Sequence, residues 1–170
     1  MESLKLAEPI PITSVNNLTQ AQIIELLGDG DSSNQLVPLR AMPELEVLLG
    51  LDDLPIKPTT YRTRVTNDIG NSRFWHVDGG DGFFDSPAIA VFANTCPTEV
   101  LQGEIPVYCE DDWKDLKEDN PVVEAAIKTG TARIETLMPN IYYLLRSPTI
   151  HRAPELTNPD MIRLFGRWME

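Results

Sequence analysis

Apolar residues recur along this chain at two different spacings, and the change between them falls near residue 59. Over the first 50 residues the spacing is helical. Thr19 and Gln22 form a capping-box pair ahead of Ile23, Ile24, Leu26 and Leu27, in which each side chain satisfies a backbone amide that a helix start leaves unpaired. Pro43 opens a second helix whose apolar stripe is Leu45, Leu48 and Leu49, and Gly50 stops it, the usual asymmetry of proline at the first helical position and glycine past the last. Residues 28–34, rich in glycine, aspartate and serine, read as a loop between them.

Beyond residue 59 the period shortens to two. Residues 59–66 alternate and are rich in β-branched and aromatic side chains, so they read as a strand. Turn chemistry follows at 67–70, and 73–78 reads as a second strand running into Gly79, Gly80 and Gly82. Further strands are expected at 88–93, 104–109, 131–137, 140–145 and 161–169. Seven strands suffice for a sandwich or barrel-like fold. Residues 110–130 interrupt them as an acidic helical insertion: Asn120 caps a helix with Pro121 at its first position and Gly130 beyond its end.

The 170 residues form one expected domain, with residues 1–50 as a helical cover and 59–169 as the β core. Terminal helices of this kind pack on a sheet or pair in a homodimer, and the sequence leaves both open. No segment has the charged, apolar and small-residue pattern of a signal peptide, and no apolar run reaches membrane length, so a soluble, cytoplasmic protein is expected. Cys96 and Cys109, the only cysteines, are expected to be reduced. Twenty-six acidic against 14 basic residues give a net charge of -12, which repels phosphate backbones and anionic lipid and argues against nucleic acid or membrane as partner.

Only two histidines occur, His76 and His151. His76 and Asp78 are two residues apart, and on a strand such side chains point to one face. They precede a glycine-rich turn, where the backbone makes way for a ligand. His151 follows a later apolar strand and the Arg146-Ser147-Pro148 turn. Two imidazoles and one carboxylate are the set that binds non-haem Fe(II) and leaves positions open. Arg163, Phe165 and Arg167 share one face of the last strand, a face suited to solvent or to an anion.

The segments WHVD (75–78), PAIAVFANTCPTEVLQGEI (87–105), PNIYYLLRSPTIHRAPE (139–155) and MIRLFGRW (161–168) resemble the 2-oxoglutarate-dependent Fe(II) oxygenases over about two-thirds of the chain. The resemblance implies a mainly-β double-stranded β-helix (a cupin-like jelly roll) with the N-terminal helices packed on its sheet. It implies His76, Asp78 and His151 as Fe(II) ligands, and Arg163, with Arg167 as the alternative, as the residue holding the far carboxylate of 2-oxoglutarate. The serine that accompanies that arginine in the family is replaced by Phe165. Asn94 and Tyr61 are candidates for a co-substrate oxygen, and Arg62, Arg64 and Phe83 for the substrate. Arg152 is placed to hold an acidic group beside His151. The implied activity is hydroxylation or desaturation of a small molecule with dioxygen. The rivals are an epimerase, lyase or 2-oxoglutarate-independent oxidase, a non-enzymatic cupin-like binding module, and a hydroxylase acting on a protein.

Overall fold

Local sequence accounts for the helices directly. The computed structural model describes residues 3–28, 36–38, 42–64, 73–78, 86–106, 120–156, 158 and 161–170. Within these, helix α1 (Gln20–Leu27) begins at the expected capping box, with both reciprocal hydrogen bonds of Thr19 and Gln22 present. Helix α2 (Pro43–Leu49) starts on its proline and ends at Gly50 in the left-handed region. Helix α3 (Pro121–Thr129) is capped by the Asn120 side chain, which accepts from the amides of Val122 and Val123, and it too ends on a left-handed glycine, Gly130.

Among the described residues, ten strands surround them: β1 (Ser3–Lys5), β2 (Ile10–Ser14), β3 (Leu36–Pro38), β4 (Thr60–Arg64), β5 (Ile89–Ala93), β6 (Glu99–Pro106), β7 (Ala132–Thr136), β8 (Ile141–Leu145), β9 (His151–Arg152) and β10 (Arg163–Met169). They pair antiparallel in two sheets. The larger has the order β2-β8-β5-β10-β4-β3; the smaller has the order β1-β6-β7, with β9 also paired to β6.

Alternation along the strands divides the interior into three cores. One face of the large sheet presents Tyr61, Ala90, Phe92, Tyr142 and Leu164, which pack with Ile23 of α1 and Leu45 and Leu49 of α2. The outer face of the small sheet presents Leu101, Ile105 and Ala132 to Val123 and Ala126 of α3. Between the sheets lie Ile89, Val91, Val100, Leu137 and Leu145, with Tyr143 and Phe165 against them. All five residues of β5 are buried, because that strand is covered on both faces.

The pairing corrects the expected double-stranded β-helix. Both sheets are open: the large one ends on β2 and β3, and neither closes into a barrel or jelly roll. Coverage rather than closure shields the apolar faces, with helices on the outside and the second sheet on the inside. The edges are short strands, and β2 carries Pro11 and a register shift beside it, features that suit an unpaired edge.

Other differences are local. The first 50 residues contribute β1, β2 and β3 as well as two helices. The strand expected at 73–78 is reduced to one bridge, between His76 and His151. Strand β6 starts at Glu99 rather than 104, and Gly103 within it, at φ +115, lies so close to Thr131 that a side chain would strike that backbone. Helix α3, within the expected insertion, is a packed cover of the small sheet. The turns expected at 67–70 and 79–82, the first part of the insertion (110–119) and Cys109 lie outside the described residues.

Candidate metal centre

Beyond the apolar plug between the sheets, the gap turns polar. A cleft there is walled by Arg62 and Arg64 of β4 and by Arg163, Phe165 and Arg167 of β10 on one side. His151 and Arg152 of β9, Ala153 and Thr98 line it from the other sheet, and His76 and Asp78 complete the lining.

His76 and His151 are fixed by each other's backbones. The amide of each donates to the carbonyl of the other, at 3.0 Å and 2.9 Å, and the rings lie 4.4 Å apart. Each ring also has its Nδ1 against a carbonyl, at 2.6 Å from Phe74 for His76 and 3.3 Å from Thr149 for His151. A carbonyl only accepts, so Nδ1 carries a hydrogen in each ring, and in the neutral ring the Nε2 lone pair is left for a ligand. Both Nε2 atoms face Asp78, at 3.8 Å from Oδ1 for His76 and 3.5 Å from Oδ2 for His151.

The three ligand atoms lie within 4.8 Å of one another. With both rings neutral, three acceptors aimed at one point call for a cation among them. Nitrogen and oxygen ligands sit about 2.0–2.2 Å from a divalent ion, so modest side-chain shifts would close the triad on one. His76, Asp78 and His151 therefore form a site suited to a divalent metal, with the chemistry of a metalloenzyme centre.

Electrostatics agree with this geometry. Burial pushes the His76 imidazole down to about 4, helped by the charge of His151, against the smaller opposing effects of the Phe74 carbonyl and Asp78. His76 is thus neutral, as a ligand must be. Burial alone would raise the Asp78 carboxyl, but the hydrogen bond and charge of His151, then Arg167 and His76, outweigh it and hold it well below the usual carboxylate range. Asp78 is an anion facing a neutral imidazole. Arg167 donates from Nη1 to Asp78 Oδ2 at 3.2 Å.

The remaining sequence candidates separate clearly. Arg163 is 3% exposed; its Nε donates to the Cys96 carbonyl at 2.9 Å, and its Nη2 has no hydrogen-bond partner among the described residues. Burial, and then the neighbouring Arg64 charge, lower its pKa to about 9 against a smaller opposing effect of Cys96. Arg64 is equally buried and donates to the Pro154 carbonyl at 3.1 Å. Arg62 lies two residues away on the same strand, and all three guanidinium groups reach the cleft.

Tyr61 points to the opposite face of β4, into the helix-covered core. The Asn94 side chain is spent on backbone: its Oδ1 accepts from Leu164 N at 2.7 Å and its Nδ2 donates to Ile162 O at 3.1 Å. Phe83 lies outside the described residues. Arg152 meets Glu99 at 2.6 Å and stacks over Trp75 at 4.3 Å, beside His151. The contact of Arg167 with Asp78 and the presence of Thr98 in the wall had no signal in the sequence. No protein-family model, curated protein or solved structure matches the chain.

Proposed function

We propose that this protein is a non-haem Fe(II)- and 2-oxoglutarate-dependent oxygenase that hydroxylates a small molecule. The observation that carries the reading is the meeting, in one cleft, of a two-histidine, one-carboxylate triad with a buried guanidinium that has an unused donor. The triad alone is compatible with many metal enzymes. A buried arginine costs several kcal/mol unless a counter-charge reaches it, and a dicarboxylate bridging metal and arginine supplies that charge.

In this reading His76, Asp78 and His151 hold the metal and leave its remaining positions to ligands. Arg163 takes the far carboxylate of 2-oxoglutarate through its unused Nη2, while its Nε bond to Cys96 fixes the fork. Arg167 orients Asp78. The bound iron supplies oxidising power toward the substrate, coupled to conversion of 2-oxoglutarate and dioxygen to succinate and carbon dioxide. The protein's part is to position these groups in a cleft shielded by both sheets.

Anaerobic addition of Fe(II), with and without 2-oxoglutarate, tests the reading. A weak visible metal-to-ligand charge-transfer band is expected only when both are present. Arg163→Gln should keep the metal and lose 2-oxoglutarate affinity by about tenfold or more. Bound metal with no band would exclude the co-substrate and leave a different metal chemistry on the same triad.

A further inference from the structure

The cleft holds more positive charge than one co-substrate can balance. The chain as a whole carries a net charge of -12, yet five of its nine arginines line this one cavity. Arg152 is matched by Glu99, and Arg167 by Asp78. Arg62, Arg64 and Arg163 are not matched by any carboxylate among the described residues; the side-chain bonds of Arg64 and Arg163 go to neutral carbonyls.

The strand register makes this costly. Arg163 stands directly opposite Arg64, and Phe165 opposite Arg62. Like charges directly across a sheet repel, and here two of them are 3% exposed. Buried nitrogen atoms on all three, Nε of Arg62, Nε and Nη1 of Arg64 and Nη2 of Arg163, have no hydrogen-bond partner among the described residues. Such a row of unspent donors on one wall is a built anion site.

The row has two ends. Arg163 and Arg64 stand opposite each other at one end, where Arg163 Nε bonds the Cys96 carbonyl. Arg62, opposite Phe165, lies one alternation nearer to Arg167, whose guanidinium bonds Asp78 of the triad, and it feels the charges of both. If 2-oxoglutarate is bound as proposed above, its near carboxylate and Asp78 together balance a divalent metal. Its far carboxylate then answers one guanidinium at the Arg163–Arg64 end. That leaves one other guanidinium of the pair and, toward the triad, Arg62 with an unused donor and no counter-ion.

Resting on that reading of the site, the geometry points to Arg62 as the seat of a second anion: the substrate is a small carboxylic acid, anchored by its carboxylate on Arg62 with its reacting carbon at the metal. A planar guanidinium fork matches a carboxylate. Arg62 as the one unmatched cation at the triad end suits a monoanion better than a phosphate dianion.

The test uses the full chain, loaded anaerobically with Fe(II) and saturated with 2-oxoglutarate. Straight-chain carboxylates of increasing length, and their matched amides, are titrated by calorimetry while the charge-transfer band is followed. At least one acid should bind about tenfold or more tightly than its amide and perturb the band without displacing 2-oxoglutarate. Arg62→Gln should remove that preference while leaving 2-oxoglutarate affinity within about threefold, and Arg62→Lys should restore part of it.

Equal binding of acids and amides, acids that bind only by displacing 2-oxoglutarate, or an unchanged preference in Arg62→Gln would each overturn the proposal. Should Arg62→Gln not fold, the acid–amide comparison on the unaltered chain and the lysine variant decide. If 2-oxoglutarate itself fails to bind, the oxygenase reading falls. The same titration on metal-loaded protein then judges the seat alone: an Arg62-dependent acid preference sustains it, and none removes it.

Discussion

Asp78 carries the most demanding electrostatic role in the molecule. Two imidazoles and a guanidinium converge on its two oxygens within 3.8 Å, and each neighbour affects a measurable quantity. Arg167 fixes the carboxylate while leaving it the charge a metal needs. Groups that orient metal ligands typically contribute 10–100-fold in affinity. Arg167→Gln is therefore expected to weaken Co(II) binding by about that factor, read by competition with a chromophoric chelator. An unchanged affinity would make the Arg167 contact incidental.

His76 sets the acid sensitivity of the metal-free protein. Its pKa falls from 6.5 to about 4 on burial, so between those values the unfolded chain binds a proton that the folded chain excludes. Stability consequently drops as the pH falls from 6.5 to 4, and the His76 contribution is constant below that. The loss is on the order of 3 kcal/mol. The depressed Asp78 acts in the adjoining window: it stabilises above the ordinary carboxylate range and that contribution is lost only at more acid pH. Urea unfolding at pH 7 and pH 4.5 should show a smaller difference for His76→Gln than for the unaltered chain.

At the scale of elements, β10 is where the site is built, and Asn94 secures its beginning. Strand β5 ends at Ala93, and the Asn94 side chain continues the pairing by bonding Ile162 and Leu164. Asn94→Ala should cost about 1–3 kcal/mol by chemical denaturation, since it strips a partner from the buried Leu164 amide. Its 2-oxoglutarate affinity should stay within about twofold if that scaffold role is all Asn94 does. A large loss of affinity with little loss of stability would return Asn94 to the co-substrate site.

The same strand marks the limit of what the sequence made readable. Helix ends were legible because caps are local: Thr19, Gln22, Asn120, Gly50 and Gly130 each act within a few residues. Strands β1 and β3 have three residues apiece, and β2 holds a proline, so their pattern was too short or too broken to register. His76 and Asp78 were legible as a pair even though only one bridge remains of the expected strand. Arg167 and Asp78 meet across 89 residues, and Arg152 and Glu99 across 53. No local periodicity encodes such contacts, nor does it encode the edges at which the two sheets stop.

Taken whole, the molecule separates its charges. A strongly acidic chain concentrates five arginines between two sheets, and that concentration lowers the pKa of Arg163 to about 9 and of Arg64 to about 10, burial being the largest cause in each. Maintaining it without an anion reduces the stability of the fold, so ligand binding and folding are linked. On the proposed function, 2-oxoglutarate at 100-fold above its dissociation constant, with metal present, should add about 2.7 kcal/mol. For a chain of 170 residues this raises the melting temperature by roughly 5–10 °C. Sodium chloride at matched ionic strength should give little of that rise, because screening acts on exposed charges far more than on buried ones. Arg163→Gln should lose most of the 2-oxoglutarate shift. If chloride and 2-oxoglutarate stabilise alike, the cluster responds to ionic strength alone and holds no specific anion.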